Sequence, residues 1–344
     1  MEDAGRLPIM NADCGLHRLI RAEIGDANAS TLLHLLEIDP RLVRPLEDNV
    51  SQAELAFAVS AVLYHQLYSR VPEAQQYTEE AIQTNTRVIF DHGALRTVAW
   101  PSGALPAGEA SITRVLKPLG YVLAGIYPLT RLKMTGRAWK HHDFPETIAQ
   151  FFVSELHPEQ FSPVFQTAVT RVLSESVDPL GPHDLSRLQN LERDGRLPWH
   201  DALNLLPKII ACFSRHHGPI RWDDYQTLRA ESAEMAWIST EGNVFNHATD
   251  RVSDIEATSA QQRTKGRSIK PEIETSASGR VRQTAFQAAM VERKFLHEND
   301  WMTQKVPGSF YEFIQRSRLP SGELDLAFDS SNATAIFKMT AGAK

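Results

Sequence analysis

The nonapeptide FDHGALRTV, residues 90–98, sets an aspartate, a histidine and an arginine inside a strand-like run. Side chains alternate faces along a strand, so Phe90, His92, Ala94 and Arg96 are expected on one face and Asp91, Gly93, Leu95 and Thr97 on the other. At ~3.3 Å per residue, the Cα atoms of His92 and Arg96 stand roughly 13 Å apart. That is too far for a bond between them and suits two groups holding opposite ends of one small molecule. A second segment, FNHATDRV (245–252), again opens a strand with a histidine, His247. Carboxylates follow on later strands, Glu155 in FFVSELHP and Glu312 in GSFYEFIQR. His92 to Glu155 spans 63 positions (155 − 92) and His247 to Glu312 spans 65 (312 − 247). Two imidazoles and one carboxylate on one face of a metal leave the opposite positions open, as in non-haem Fe(II) oxygenases. A 2-oxo acid can chelate there through its carboxylate and carbonyl oxygens, with O2 at the remaining position. A guanidinium nearby can fork a distal carboxylate. The expected set is His92, His247 and Glu312 on the metal, with Arg96 on the ligand. Glu155 stays open between a fourth ligand, an anchor for a ligand's other nitrogen or for Arg96, and a strand-end charge.

The elements that must position these residues follow from periodicity. Residues 1–84 read as an N-terminal helical cover, with GLHRLIRAEI and STLLHLLEID at helical spacing and Asn28 or Ser30 as the cap of the second run. From about residue 86 the period changes to two. The order β-α-β-β-β over 85–158 forms a first module. Four helices over 159–238 form an insert, and 239–344 repeat β-α-β-β-β and add a tail. In the second module VRQTAFQAAMVERKF reads as a single strand. The expected fold class is α+β: two βαβββ modules closing a metal-centred half-barrel inside one compact unit with the helices. His17, His34, His65, His157 and the His216/His217 pair read as surface or packing residues, and His141/His142, beside Lys140, as a solvated turn.

Composition bounds the partners. A formal charge of -6 and a pI near 6.1 leave no basic footprint for nucleic acid. Cys14 and Cys212 form no metal-binding spacing, and a reduced, cytoplasmic setting is expected. No apolar run reaches 18 residues, so no membrane span is expected, and MEDAGRLPIM does not read as a signal peptide. Phosphate-binding GxxxxGK[ST] and GxGxxG patterns and the GxSxG elbow are lacking.

The segments FDHGALRTV, FFVSELHPEQFS, FNHATDRV and GSFYEFIQR together resemble the 2-oxoadipate dioxygenase/decarboxylase (2-hydroxyglutarate synthase) family of the vicinal-oxygen-chelate, glyoxalase-like superfamily. The resemblance runs over roughly residues 85–335 and keeps the motif order. It implies Fe(II) on His92, His247 and Glu312, and substrate recognition by Arg96. It also implies conversion of 2-oxoadipate and O2 to D-2-hydroxyglutarate and CO2, a step of lysine catabolism. The chain is shorter than bacterial members, and the tail FDSSNATAIFKM is expected to line the pocket, with Ser331 and Asn332 as candidates. The alternative keeps the metal and changes the chemistry: a non-redox isomerase or lyase acting on a small 2-oxo acid. A fourth ligand at Glu155 would favour it.

Overall fold

The computed structural model describes residues 14–328. Helices α1 (Gly15–Ile24), α2 (Asp26–Leu35), α3 (Gln52–Tyr68) and α4 (Pro72–Gln83) form the N-terminal cover, with a short strand β1 (Asn49–Ser51) before α3. Helix α3 is buried almost all round, and Ser51 and Glu54 close its N-terminus as a reciprocal capping box. Neither Asn28 nor Ser30 caps α2. Gly25, at φ 79, lets α1 stop and α2 start at once, so both residues lie inside the helix.

The first module runs β2 (Phe90–Val98), α5 (Ala110–Leu116), β3 (Tyr121–Leu129), β4 (Met134–His141) and β5 (Gln150–Leu156). The insert holds α6 (Pro163–Leu173), α7 (Pro182–Asp194), β6 (Arg196–Pro198), α8 (Trp199–Ala211), β7 (Ile220–Arg221), α9 (Trp222–Glu231) and α10 (Ala233–Glu241). The last expected helix is thus two, divided at Ser232, whose hydroxyl caps α10. The second module runs β8 (His247–Arg251), α11 (Ile255–Thr264), β9 (Glu274–Thr275), β10 (Val281–Ala285), β11 (Met290–His297), β12 (Asp300–Pro307) and β13 (Phe310–Arg316).

Eight strands form one sheet in the order β3-β4-β5-β2-β8-β13-β10-β9. The opening strands β2 and β8 meet antiparallel at its centre. Each is flanked on its outer side by the closing strand of its own module, in parallel: β5 beside β2 and β13 beside β8. The two halves therefore share one topology. The second departs from expectation in one place. Strands β11 and β12 leave the sheet as a hairpin that pairs with β7 of the insert. They occupy the link that in the first module is the short loop between β4 and β5. The chain turns back at Glu298, a non-glycine residue in the left-handed region (φ 53).

Alternation splits the sheet residues between two faces. The convex face (Leu95, Phe151, Val153, Ala248, Phe313) packs with Leu16, Leu32, Leu55, Val59 and Tyr64 of the cover and with α7 and α8. Gly93 sits on this side because a Cβ there would lie 2.3 Å from the Phe245 ring. A second core joins α6, α9, α10 and the hairpin through Phe165, Leu228, Trp237, Phe295 and Val306. No helix among the described residues is long and apolar enough to cross a membrane.

One buried carboxyl under the convex face yields a stability prediction. Asp250 accepts from Tyr77 Oη at 2.6 Å and from the Ile89 amide at 3.1 Å. Burial pushes its pKa up to about 7, against ~3.9 in an unfolded chain. The unfolded chain thus ionises this group first. Its cost to stability is absent below about pH 4, grows as pH rises and levels off above about pH 7. Asp250→Asn, which keeps an acceptor and cannot ionise, should stabilise the protein more at pH 8 than at pH 5, by on the order of 2–3 kcal/mol. Denaturant titrations at the two pH values read this out, and equal shifts at both would refute it.

Candidate metal centre

The concave face carries the polar residues. On β8, His247 and Thr249 point to it. Ala94 of β2 is the register partner of His247, and His92 is the partner of Thr249. On the other side of β8, Thr249 pairs with Glu312 of β13. His92, His247 and Glu312 are all buried, and each offers a ligand atom within 4.8 Å of the others. Glu312 Oε2 lies 3.5 Å from His92 Nε2 and 3.3 Å from His247 Nε2. Donors at right angles on one metal at ~2.1 Å stand about 3 Å apart, so these separations fit a shared ion. Glu312 Oε1 is buried with no hydrogen-bond partner. A bare buried carboxylate oxygen is costly unless a cation balances it. The donor set, two imidazoles and a carboxylate, suits a divalent transition metal.

The strand geometry around His92 differs from simple alternation. Phe90 pairs with Asp250 and His92 with the preceding Thr249, so Asp91 is the extra residue of a β-bulge. The bulge reverses the expected faces of two residues. Phe90 turns to the convex side, its ring 4.9 Å from that of Tyr64. Asp91 comes round to His92, with Oδ1 2.8 Å from Nδ1. An Nδ1–H donated there leaves the Nε2 lone pair for a metal. Arg316 Nε and Nη2 hold the same carboxylate at 2.8–3.1 Å, and its charge keeps Asp91 ionised. Burial opposes charge on His92, but the carboxylates of Asp91 and Glu312 beside it outweigh that and raise its pKa. His247 goes the other way: burial pulls it down to about 3. The Asn246 amide lies 2.8 Å from His247 Nδ1. With its oxygen turned to the ring it accepts Nδ1–H and frees Nε2 in the same manner.

Arg96 lies on the concave face two residues beyond Ala94, fully buried, with its guanidinium 4.9 Å from the Trp237 ring centroid. Burial lowers its pKa to about 10, and the Glu234 charge works against that fall. It therefore stays cationic at neutral pH. Beside the cluster, Ala94, Ala138 and Phe152 form an apolar wall with Tyr127 and Phe328. The Phe328 ring stands edge-on to His92 at 4.8 Å, and Arg316 Nη1 holds the carbonyls of Asp325 and Ala327 just before it. Ser331 and Asn332 lie outside the described residues.

Glu155 is not part of the cluster. It occupies the convex side, taking the Glu109 amide at 2.8 Å and Arg137 Nη1 at 3.2 Å. The near-equal spacings from His92 and His247 did not mark equivalent positions. His92 pairs with Gln150, and His247 with Phe310. Two residues further on these strands stand Phe152 and Glu312, so Phe152 is the counterpart of Glu312. His141 also departs from expectation, being buried rather than solvated. With His142 and Asp143 it forms a second group of metal-ligand type. Its Nδ1 accepts from the amides of Asp143 and Phe144, at 3.2 and 3.3 Å. The ring proton is then on Nε2, which leaves no lone pair there for an ion. Asp91, Asn246, Arg316 and Thr249 support the cluster without standing out in the sequence. Thr249 alone had a legible signal, two residues after His247 on the same face.

A half-barrel of paired βαβββ modules around a buried two-histidine, one-carboxylate cluster defines a protein of the glyoxalase superfamily. A glyoxalase-superfamily protein from Ralstonia eutropha JMP134 matches with a TM-score of 0.88 at 49% identity, over 91% of this chain and 98% of that one. The sequence profile of the 2-oxoadipate dioxygenase/decarboxylases matches residues 44–336, and the chain belongs to that family. The hydroxyglutarate synthase of Oryza sativa, solved in complex with 2-oxoadipate, shares the fold at a TM-score of 0.67 and 19% identity, over 87% of this chain and 97% of that one. The Pseudomonas putida hydroxyglutarate synthase in complex with 2-oxoadipate does so at 0.61 and 19%, over 86% and 74%. None of the curated proteins matches.

Proposed function

We propose that the protein is a non-haem Fe(II)-dependent dioxygenase and decarboxylase that converts 2-oxoadipate and O2 to D-2-hydroxyglutarate and CO2, a step of lysine catabolism. The observation that carries this reading is the buried His92/His247/Glu312 cluster in a chain of that family. Those three residues would hold the iron, which supplies O2 activation and a two-point grip on the 2-oxo acid when bound. The chain's own contribution is position and exclusion of water. Asp91 keeps the proton on His92 Nδ1, so that Nε2 faces the concave side as a lone pair. Arg96 receives the distal carboxylate, and its stacking on Trp237 limits how that carboxylate can sit. Ala94, Ala138, Phe152 and Phe328 keep water from the reacting carbons. The mark of the isomerase or lyase reading, a fourth ligand at Glu155, has no support, because Glu155 serves Arg137 and the Glu109 amide.

Anaerobic reconstitution with Fe(II), followed by addition of oxygen and 2-oxoadipate, tests the proposal. We expect one O2 consumed and one CO2 released per substrate. The rate should fall for 2-oxo acids shorter or longer than 2-oxoadipate. Turnover of 2-oxoadipate without oxygen uptake would rule out the dioxygenase reading.

A further inference from the structure

Thr249 occupies the middle of the cluster. It is buried at the centre of the sheet and is the cross-strand partner of His92 on one side and of Glu312 on the other. Its hydroxyl donates to Glu312 Oε2 at 2.8 Å and stands 3.1 Å from His92 Nε2. A threonine hydroxyl has one proton to give. Given to Glu312, that proton fixes one carboxylate oxygen and the rotation of the whole group. The oxygen it fixes is the one 3.3 Å and 3.5 Å from the two imidazole nitrogens, while Oε1 is bare.

We propose that Thr249 is a positioning residue that holds Glu312 as a one-oxygen donor and so keeps a coordination position open for the substrate. The inference rests on the metal reading above. A carboxylate free to rotate can bring both oxygens to a cation. In a centre that must admit both oxygens of a 2-oxo acid and a further small molecule, a second carboxylate oxygen would take a place the substrate needs. The hydrogen bond from Thr249 opposes that rotation through Oε2, and the β-branched side chain, stiff at χ1 on a central strand, keeps the hydroxyl in place. Strands β2 and β13, of different modules, both meet this one side chain, and the position of Glu312 depends on β8 as well as on its own strand.

The test uses the full chain loaded with Co(II), whose visible absorption reports coordination number, and the pair Thr249→Val and Thr249→Ser. Valine keeps the shape and removes the hydroxyl; serine restores it. We expect Thr249→Val still to take up Co(II), at an affinity lowered by no more than about 10- to 100-fold, because all three ligands remain and only a hydrogen-bonding partner behind one of them is lost. Its ligand-free spectrum should shift toward higher coordination, and 2-oxoadipate should bind at least about tenfold more weakly, while Thr249→Ser returns both to wild type. A wild-type spectrum with wild-type affinity in Thr249→Val would overturn the proposal. So would loss of Co(II) from that variant, which would make the hydroxyl a requirement for the ion itself. Should valine upset folding, judged by near-ultraviolet circular dichroism, Thr249→Ala against Thr249→Ser makes the same comparison at matched size. If wild type binds no 2-oxoadipate, the proposed substrate fails, while the ligand-free spectra still decide the role of Thr249.

Discussion

Glu312→Gln should leave the protein folded, weaken divalent-metal binding by at least about 100-fold and lower turnover at least as far. Loss of a hydrogen-bonding partner behind a ligand commonly costs 10–100-fold in metal affinity, and loss of a ligand costs more. Glutamine fills the same volume and its amide oxygen can still accept from Thr249, so packing between β8 and β13 is kept. What it lacks is charge. His247 is held neutral by burial, His92 is neutral when its Nε2 lone pair faces a metal, and the charge of Asp91 is already matched by Arg316. Glu312 would therefore be the anion that balances a divalent ion in this buried site. Burial disfavours its ionised form, yet the polar groups around it, the Thr249 hydroxyl among them, draw its pKa below the usual carboxylate value, so it is ionised at neutral pH. His92→Ala and His247→Ala should act in the same direction. Glu155→Gln is the control: it disturbs the contact with Arg137 and should leave metal content unchanged. Metal analysis after desalting, together with competition against a chelator, measures this. Full metal retention in Glu312→Gln would remove Glu312 from the set.

The parts of this architecture that were legible in the sequence are those set by alternation. The strands of the first module, the opening and closing strands of the second and the clustered His92, His247 and Glu312 all follow from period-two runs whose side chains alternate faces. What alternation cannot report is an inserted residue. The bulge at Asp91 leaves the strand pattern of FDHGALRTV unchanged as text and reverses the faces of Phe90 and Asp91, which hid the residue that orients His92. Register was hidden for a related reason. Spacing along the chain counts loop residues, whereas pairing across the sheet does not, so Glu155 resembled a partner of Glu312 while Phe152 held that place. Strand β11 runs on from β10 in the sequence pattern because Gln287, Ala288 and Ala289 carry no strong turn signal, and β12 is not marked there at all. His141 looked solvated beside Lys140, but its ring closes the end of β4 by accepting two backbone amides. The bulge and the register depend on contacts between distant segments, which single-strand patterns do not encode.

Arg96→Ala should impair 2-oxo dicarboxylic acids selectively and leave metal binding near wild type. Removing one partner of a buried charged pair costs roughly 2–4 kcal/mol, or about 30- to 1,000-fold in kcat/KM for a substrate that carries the second carboxylate. A monocarboxylic 2-oxo acid of similar length never had that contact and should lose far less. The main alternative makes Arg96 a structural ion-pair partner. The two carboxylates first in line for such a pair are engaged elsewhere, Asp91 with Arg316 and Glu155 with Arg137. Glu234 is different. It is buried, and its charge favours the cationic form of Arg96. Arg96→Ala therefore also leaves Glu234 without that charge and should lower the melting temperature, so stability alone does not separate the two roles. Arg96→Lys does. Lysine keeps the charge near Glu234 and loses both the planar fork and the stacking on Trp237. If Arg96 reads the substrate, Arg96→Lys should recover most of the stability and only part of the preference for dicarboxylic acids. The deciding measurement is the ratio of kcat/KM for 2-oxoadipate to that for the monocarboxylic acid in wild type and both variants. A ratio unchanged in Arg96→Ala, with stability restored in Arg96→Lys, would mean that Arg96 supports the fold and leaves substrate selection to other residues.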